Sequence, residues 1–224
     1  MNGRSSILLR TAVLLLASCF GGCAMAPVSV EMPVAKPPLV DRLPLAMGIH
    51  YPPATRDYFY EQYQHMLGIP GGTSEPAWRI DLGAASMRHF DRMFAAMFDK
   101  AVPVEANPTG LVRAAALDGV LVMAIDDYTG NCGYASLGSC GGSIEYRFVL
   151  IGRDGQEIAS WEVDGRHGTG VASRATVQSA MREATARFLI NFYGDERVQQ
   201  WLARARRTSQ GADRQAVQGE GGRS

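Results

Sequence analysis

The chain has 224 residues, with 22 Lys plus Arg against 22 Asp plus Glu and a formal net charge of zero. A balanced charge gives no basic field to recruit nucleic acid. Its length suits one domain once the first segment is set aside, and beyond that segment no apolar run is long enough to span a bilayer.

Taken in chain order, the sequence opens with Arg4 and Arg10 flanking a short run that is apolar from Thr11 to Ala17. This is the pattern of a secretory signal, too short for a transmembrane helix. Leu16-Ala17-Ser18-Cys19 resembles a bacterial lipobox. That resemblance implies that residues 1–18 are cut away, that the Cys19 thiol is diacylated and that its new amine is acylated. Cys23 is the weaker alternative because Phe20-Gly21-Gly22 precedes it, and an ordinary signal peptide cut near Ala24 would remove both cysteines. One acyl chain holds a protein to a membrane only marginally, at ~0.8 kcal/mol per buried CH₂, so several chains on one cysteine make a durable anchor. Cys19 is followed by Phe20 and not by Asp, which by the same resemblance implies outer-membrane sorting, facing the periplasm of a Gram-negative bacterium.

Residues 19–42 are read as the lipidated cysteine and a proline-rich tether, extended at ~3 Å per residue. A folded domain is expected over 43–206. Leu45, Met47, Ile49 and Tyr51 alternate as a first strand, which Pro52-Pro53 stops. The aromatic segment from Tyr51 to Ala77 reads as a projecting loop with a short helical turn, and "WRIDL" as a short strand. From Gly83 the spacing changes to three and four. Met87, Phe90, Met93, Phe94, Met97 and Phe98 form the apolar stripe of an amphipathic helix. Such a stripe is either core or an adaptable greasy surface; core is the reading adopted.

"AVPVEA" is extended. "DGVLVMAIDDYT" is apolar on both faces and reads as a covered central strand ending at Asp126-Asp127. "SIEYRFVLIG" and "QEIASWEVDG" alternate on either side of Arg153-Asp154-Gly155, a hairpin in which glycine accepts positive φ. A glycine-rich loop, "DGRHGTGVAS", then leads to a second long helix with Ser173 as its cap. Its inner stripe is Val177, Met181, Ala184, Phe188 and Phe192, and Gly194 ends it. A short amphipathic piece carries Val198, Trp201 and Leu202, and residues 207–224 are polar and expected to be disordered. The predicted fold is α+β, with two long helices on one face of a mainly antiparallel sheet in a single domain.

This order resembles the periplasmic lipoprotein domains related to the TolB amino-terminal and curli-secretion-channel lipoproteins, including the activator of penicillin-binding protein and the Pel polysaccharide lipoprotein. The residues that carry the resemblance are the Cys19 lipobox, the helix after "IDLG", the "DGVLVMAIDDY" strand, the "YRFVLIGRDGQEIASW" hairpin and the "ATVQSAMREATARFLINF" helix. It implies an accessory role, either binding a partner protein in the envelope or forming a homo-oligomer.

Candidate chemistry is sparse. Cys132 and Cys140 sit in a Gly/Ser/Asn loop with the wrong gap for a redox pair and no histidine nearby for zinc. In an oxidising compartment they read as a structural disulfide. Among the histidines, His50, His65, His89 and His167, only His167 near Asp164 invites a catalytic reading, and no nucleophile elbow is present. Asp126-Asp127 has too few neighbouring ligands for a calcium loop. No enzyme activity, metal or cofactor is therefore expected. Tyr58, Phe59, Tyr60 and Tyr63 are the candidate binding residues, for a protein partner or, as the alternative function, for a lipid or glycan.

Overall fold

The computed structural model describes residues 41–64, 75–105, 116–132, 140–170 and 174–205. Cys19, Cys23, His65, Ser173, most of the tether and the polar tail lie outside them. No helix among the described residues is long and apolar enough to cross a membrane.

The chain divides into two compact units, one of residues 1–29 and 61–79, the other of residues 30–60 and 80–224. The first contains most of strands β2 (Tyr60–Gln64) and β3 (Glu75–Ile80), which pair as a two-stranded sheet. Arg79 and Glu61 form an ion pair there at 3.7 Å. The segment expected as a loop thus contributes two strands, and the intended "WRIDL" strand ends at Ile80 because Leu82 already opens a helix.

The second unit carries β1 (Leu43–His50), α1 (Pro53–Arg56), α2 (Leu82–Met97), β4 (Phe98–Pro103), β5 (Gly119–Cys132), β6 (Cys140–Gly152), β7 (Glu157–Gly170), α3 (Arg174–Gly194) and a last helix, α4, over 196–205. Its sheet runs β4-β1-β5-β6-β7. The class is α+β, as expected, and the sheet is mixed, so its antiparallel character is matched only in part. β1 pairs in parallel with both β4 and β5, while β5, β6 and β7 pair antiparallel. The cause is connectivity. The chain leaves β1 and returns as β4 through α2, and such a crossover imposes a parallel pair, whereas the tight turn after β6 imposes an antiparallel one. That turn is the predicted one, with Gly155 at φ 82°.

The two long helices pack on one sheet face, and the Met/Phe stripe is core. Phe90, Met93, Phe94, Met97 and Phe98 are buried, as are Val177, Met181, Ala184, Phe188 and Phe192. The Phe90 ring lies 5.1 Å from Tyr146 and 5.3 Å from Phe148, and Phe188 sits 4.3 Å from Phe148. Each such side chain contributes ~1.5–3 kcal/mol of burial. Two polar contacts cross this core. Ser86 and Tyr146 share a hydroxyl hydrogen bond at 2.9 Å. His89 Nε2 lies 2.7 Å from the Thr185 hydroxyl, which itself donates to Met181 O. The only proton left for that contact is on His89, so Nε2–H donates and joins α2 to α3. Burial, with the Arg182 charge adding to it, pushes His89 down to about 4, so it is neutral at pH 7.

On the opposite face, Val104, Leu117 and Val120 are buried together, with Ala46, Val102 and Val122 packed against them. This covers only the first half of β5. The predicted glycine-rich loop after Asp164 is not a loop: β7 continues to Gly170 because β6 runs alongside it to Cys140 and supplies the ladder.

Candidate functional site

β1 ends at His50, and its pairing with β5 stops at Val122. From Met123 to Cys132, β5 has β6 on one side and no strand on the other among the described residues. Unpaired main-chain groups on such an edge need partners. Residues 52–60 provide them. Pro53 stands in the first turn of α1, where its missing N–H costs nothing. The short helix delivers a buried Thr55, whose hydroxyl accepts the Ile125 N–H at 3.1 Å. A bulge between Ile125 and Asp127 then shifts the outward parity of β5. Next along the edge, the Tyr60 hydroxyl donates to Gly130 O at 3.0 Å. The Tyr60 ring stands edge-on to Tyr128 with centroids 4.5 Å apart.

The aromatic segment is therefore a strap along a sheet edge, with its hydroxyls turned in. Burial, followed by the nearby Tyr60, pushes the Tyr128 phenol up to about 12. Burial also raises Tyr60, and burial with the Asp127 charge raises Tyr58. Phe59 alternates with these two and faces outward, 45% exposed. Of the four predicted binding residues, then, Tyr60 is tied to β5 through its hydroxyl, Tyr58 is tied through its main-chain O to Gly83 N–H at 2.8 Å, and Phe59 is presented between them. Tyr63 lies in β2, and its side chain is outside the described residues.

The other candidates are dispersed. Asp126 and Asp127 are not at a strand end but at the bulge within β5. Asp126 takes a two-point contact from Arg147, at 2.9 and 2.7 Å, and Asp127 stands opposite Glu145. Asp164 is not paired with His167 in any described contact. It is held by Arg166 at 2.8 Å and by Arg187. Burial works to raise its pKa, but the hydrogen bond from Arg166 and the Arg187 charge hold it below the usual carboxylate range. His50 contacts Val104 O through Nδ1 at 2.8 Å. The side chain of His167 lies outside the described residues. Among the described residues no group of three or more His, Cys, Asp or Glu is placed to hold a metal.

Cys132 and Cys140 face each other in register across β5 and β6. Directly opposed antiparallel residues have Cα atoms ~4.5–5.5 Å apart, within the range a disulfide accepts. Peptide mapping without reduction is expected to find the two linked; two free thiols in material from an oxidising compartment would contradict this.

A cavity of about 490 Å³ lies at the other end of the sheet, between the β6–β7 turn and α4, lined among others by Arg153, Asp154, Glu157, Arg197, Trp201 and Arg204. Its charges are mixed. α4 is fixed beside it by Asp195, which accepts the Arg197 N–H at 2.9 Å as an N-cap and the Trp161 indole N–H at 3.2 Å. The hydrogen bond from the Arg197 side chain holds Asp195 down at about 2. Two of these roles were missed in the sequence. An Asp just before an amphipathic run is a cap signal, so Asp195 was findable. Nothing marked Thr55, since an isolated threonine after two prolines has no periodicity.

No family model matches the chain, and no curated protein matches it. Solved structures similar to it include the DUF330-family protein XCC0632 from Xanthomonas campestris, 11% identical, covering 83% of this chain and 99% of that one with a TM-score of 0.48. Lipoprotein GNA1162 from Neisseria meningitidis is 11% identical over 65% of this chain and 99% of its own, at 0.36. The PelC dodecamer from Paraburkholderia phytofirmans is 13% identical over 70% and 91%, at 0.37.

Proposed function

We propose that this chain is an envelope lipoprotein, anchored through acylated Cys19 in the outer membrane and facing the periplasm, that acts as a non-enzymatic accessory or assembly factor through protein contacts. The observation that carries the proposal is the presentation of Phe59. A large aromatic side chain 45% exposed stands beside Tyr60, whose hydroxyl is tied to Gly130 of β5. An aromatic group on a rigid mount loses little entropy when a partner covers it, and aromatic anchors dominate protein interfaces. Its place fits the role. The chain enters the described fold ahead of Leu43, near the end of the sheet where β5 begins beside Met47. The strap lies along the far half of β5, ~20–40 Å onward at ~3.3 Å per residue, and so stands well apart from the end at which the chain enters.

Phe59→Ser is the test. An exposed residue changes stability by about 0.5 kcal/mol or less, so the melting temperature should hold within about 2 °C while envelope proteins that co-purify with the wild type are lost. Tyr60→Ala, by contrast, removes a mounted ring and should cost ~1–3 kcal/mol. Undiminished co-purification with Phe59→Ser would defeat the proposal.

A further inference from the structure

We propose that the outer face of α2 and α3 rests on an anionic lipid surface and holds the domain with its helices toward the membrane. The proposal uses neither Phe59 nor the β5 edge.

The two helices lie side by side and run the same way, with His89 against Thr185, Phe94 against Phe188 and Phe98, just past α2, against Phe192. Their apolar stripes face the sheet, so residues half a turn away face out. On α2 these are Arg88, Arg92 and Ala95. On α3 they are Arg182, Ala186 and Ile190, spaced by four along one row. All six are exposed, and the His89–Thr185 contact closes the seam between the rows.

The three arginines stand apart from the others. Arg42, Arg79, Arg147, Arg166, Arg187 and Arg197 each hold a carboxylate. Arg88, Arg92 and Arg182 hold none among the described residues. The acids of these helices are Asp91 and Glu183. Glu183 is taken by Arg187 at 2.7 Å, and Asp91 accepts the Tyr51 hydroxyl at 2.7 Å. The other face of the sheet carries the opposite sign. Glu145, Glu162 and Asp164 share it with Asp126, and these four acids line a hollow of about 370 Å³. Arg147 and Arg166 offset two of them. A chain with no net charge is thus polarised, basic on its helices and acidic on its sheet. An anionic surface attracts one face and repels the other, so it both binds and orients the domain.

Two features favour lipid over an acidic protein. An arginine without a partner is free to rotate, and fixing it against a rigid protein costs ordering entropy, whereas mobile headgroups move to the charge. Ile190 also stands 71% exposed in the same row as Arg182. Guanidiniums that reach phosphates while an apolar side chain enters the acyl boundary match the way helices lie in a lipid interface. Each arginine near such a surface is worth about fivefold in partitioning, so three give roughly a hundredfold. That is weak in bulk solution and ample for a chain already tethered at the membrane, as the reading above has it.

The test uses the full processed chain on vesicles, with a photo-crosslinking side chain at position 190 or at position 162 on the opposite face. If acylation does not hold the chain there, an amino-terminal histidine tag and a nickel-chelating lipid do, so the anchor and the docking face fail separately. On phosphatidylglycerol and phosphatidylcholine in equal parts, position 190 should give a lipid adduct and position 162 none. Phosphatidylcholine alone, or R88E/R92E/R182E on the mixed vesicles, should cut the adduct at 190 by about tenfold or more. Equal adducts at the two positions, equal adducts on the two vesicles, or a triple variant that labels like the wild type would each overturn the proposal. A protein adduct at 190 in cells, lost in the triple variant and without a lipid adduct, overturns lipid as the occupant. If the charge-reversed variant does not fold, R88Q/R92Q/R182Q must still lower the adduct, and unchanged labelling there overturns the proposal.

Discussion

Gly165→Ala is expected to destabilise the domain by ~3–5 kcal/mol, a fall of about 10 °C in melting temperature for a chain of this size. Gly165 lies on β7 under α3. A Cβ there would stand 1.8 Å from Ala180 O, 2.7 Å from its carbonyl carbon and 3.0 Å from Ala184 Cβ. The obstacle is helix backbone, which cannot rotate away as a side-chain tip can. To make room, α3 must lift off the sheet, and its lift unpacks Phe188 and Phe192, both fully buried against the sheet and α2. Gly194→Ala is the control. A Cβ at Gly194 meets nothing within 4 Å, so the change should stay within about 0.5 kcal/mol. Thermal melts of the two variants side by side decide the matter; similar melting points would show that α3 does not rest on Gly165 as described.

Cys19→Ser is expected to abolish acylation and leave the protein unanchored. The lipobox reading puts every acyl chain on this one residue, and at ~0.8 kcal/mol per buried CH₂ their loss removes the anchor entirely. Metabolic palmitate labelling and membrane fractionation check it. Cys23→Ser should keep full label, and label lost only in that variant would move the anchor to Cys23. Label retained in both would remove it from this segment.

The helices were legible because their signal is local. The three- and four-residue spacing of Phe90, Met93, Phe94 and Met97, and of Val177, Met181, Ala184 and Phe188, needs only the helix period to be read. The sheet's order was not legible. β1 lies between β4 and β5, a placement set by contacts across more than fifty residues of chain, and no residue in β1 states its neighbours. The lengths of β5, β6 and β7 were also underestimated. Alternation fades at Gly130, Gly141 and Gly165, but the ladder continues because each strand has another beside it to pair with. At the candidate site, the aromatic cluster was visible and the direction of its side chains was not. A tyrosine offers a ring to a partner or a hydroxyl to its own main chain, and the choice here follows from where β1 stops short along β5, which is a property of the sheet.

Phe59 is proposed as the contact point for an envelope protein, and a photo-crosslinking side chain placed there in living cells tests it most directly. Position 190 is the comparison, since Ile190 is the other large apolar side chain exposed among the described residues, at 71%, and stands on the outer face of α3. The account predicts a discrete protein adduct from position 59 that is absent from position 190. No protein adduct at 59, an adduct to lipid or glycan alone, or the same adduct from both positions would contradict it.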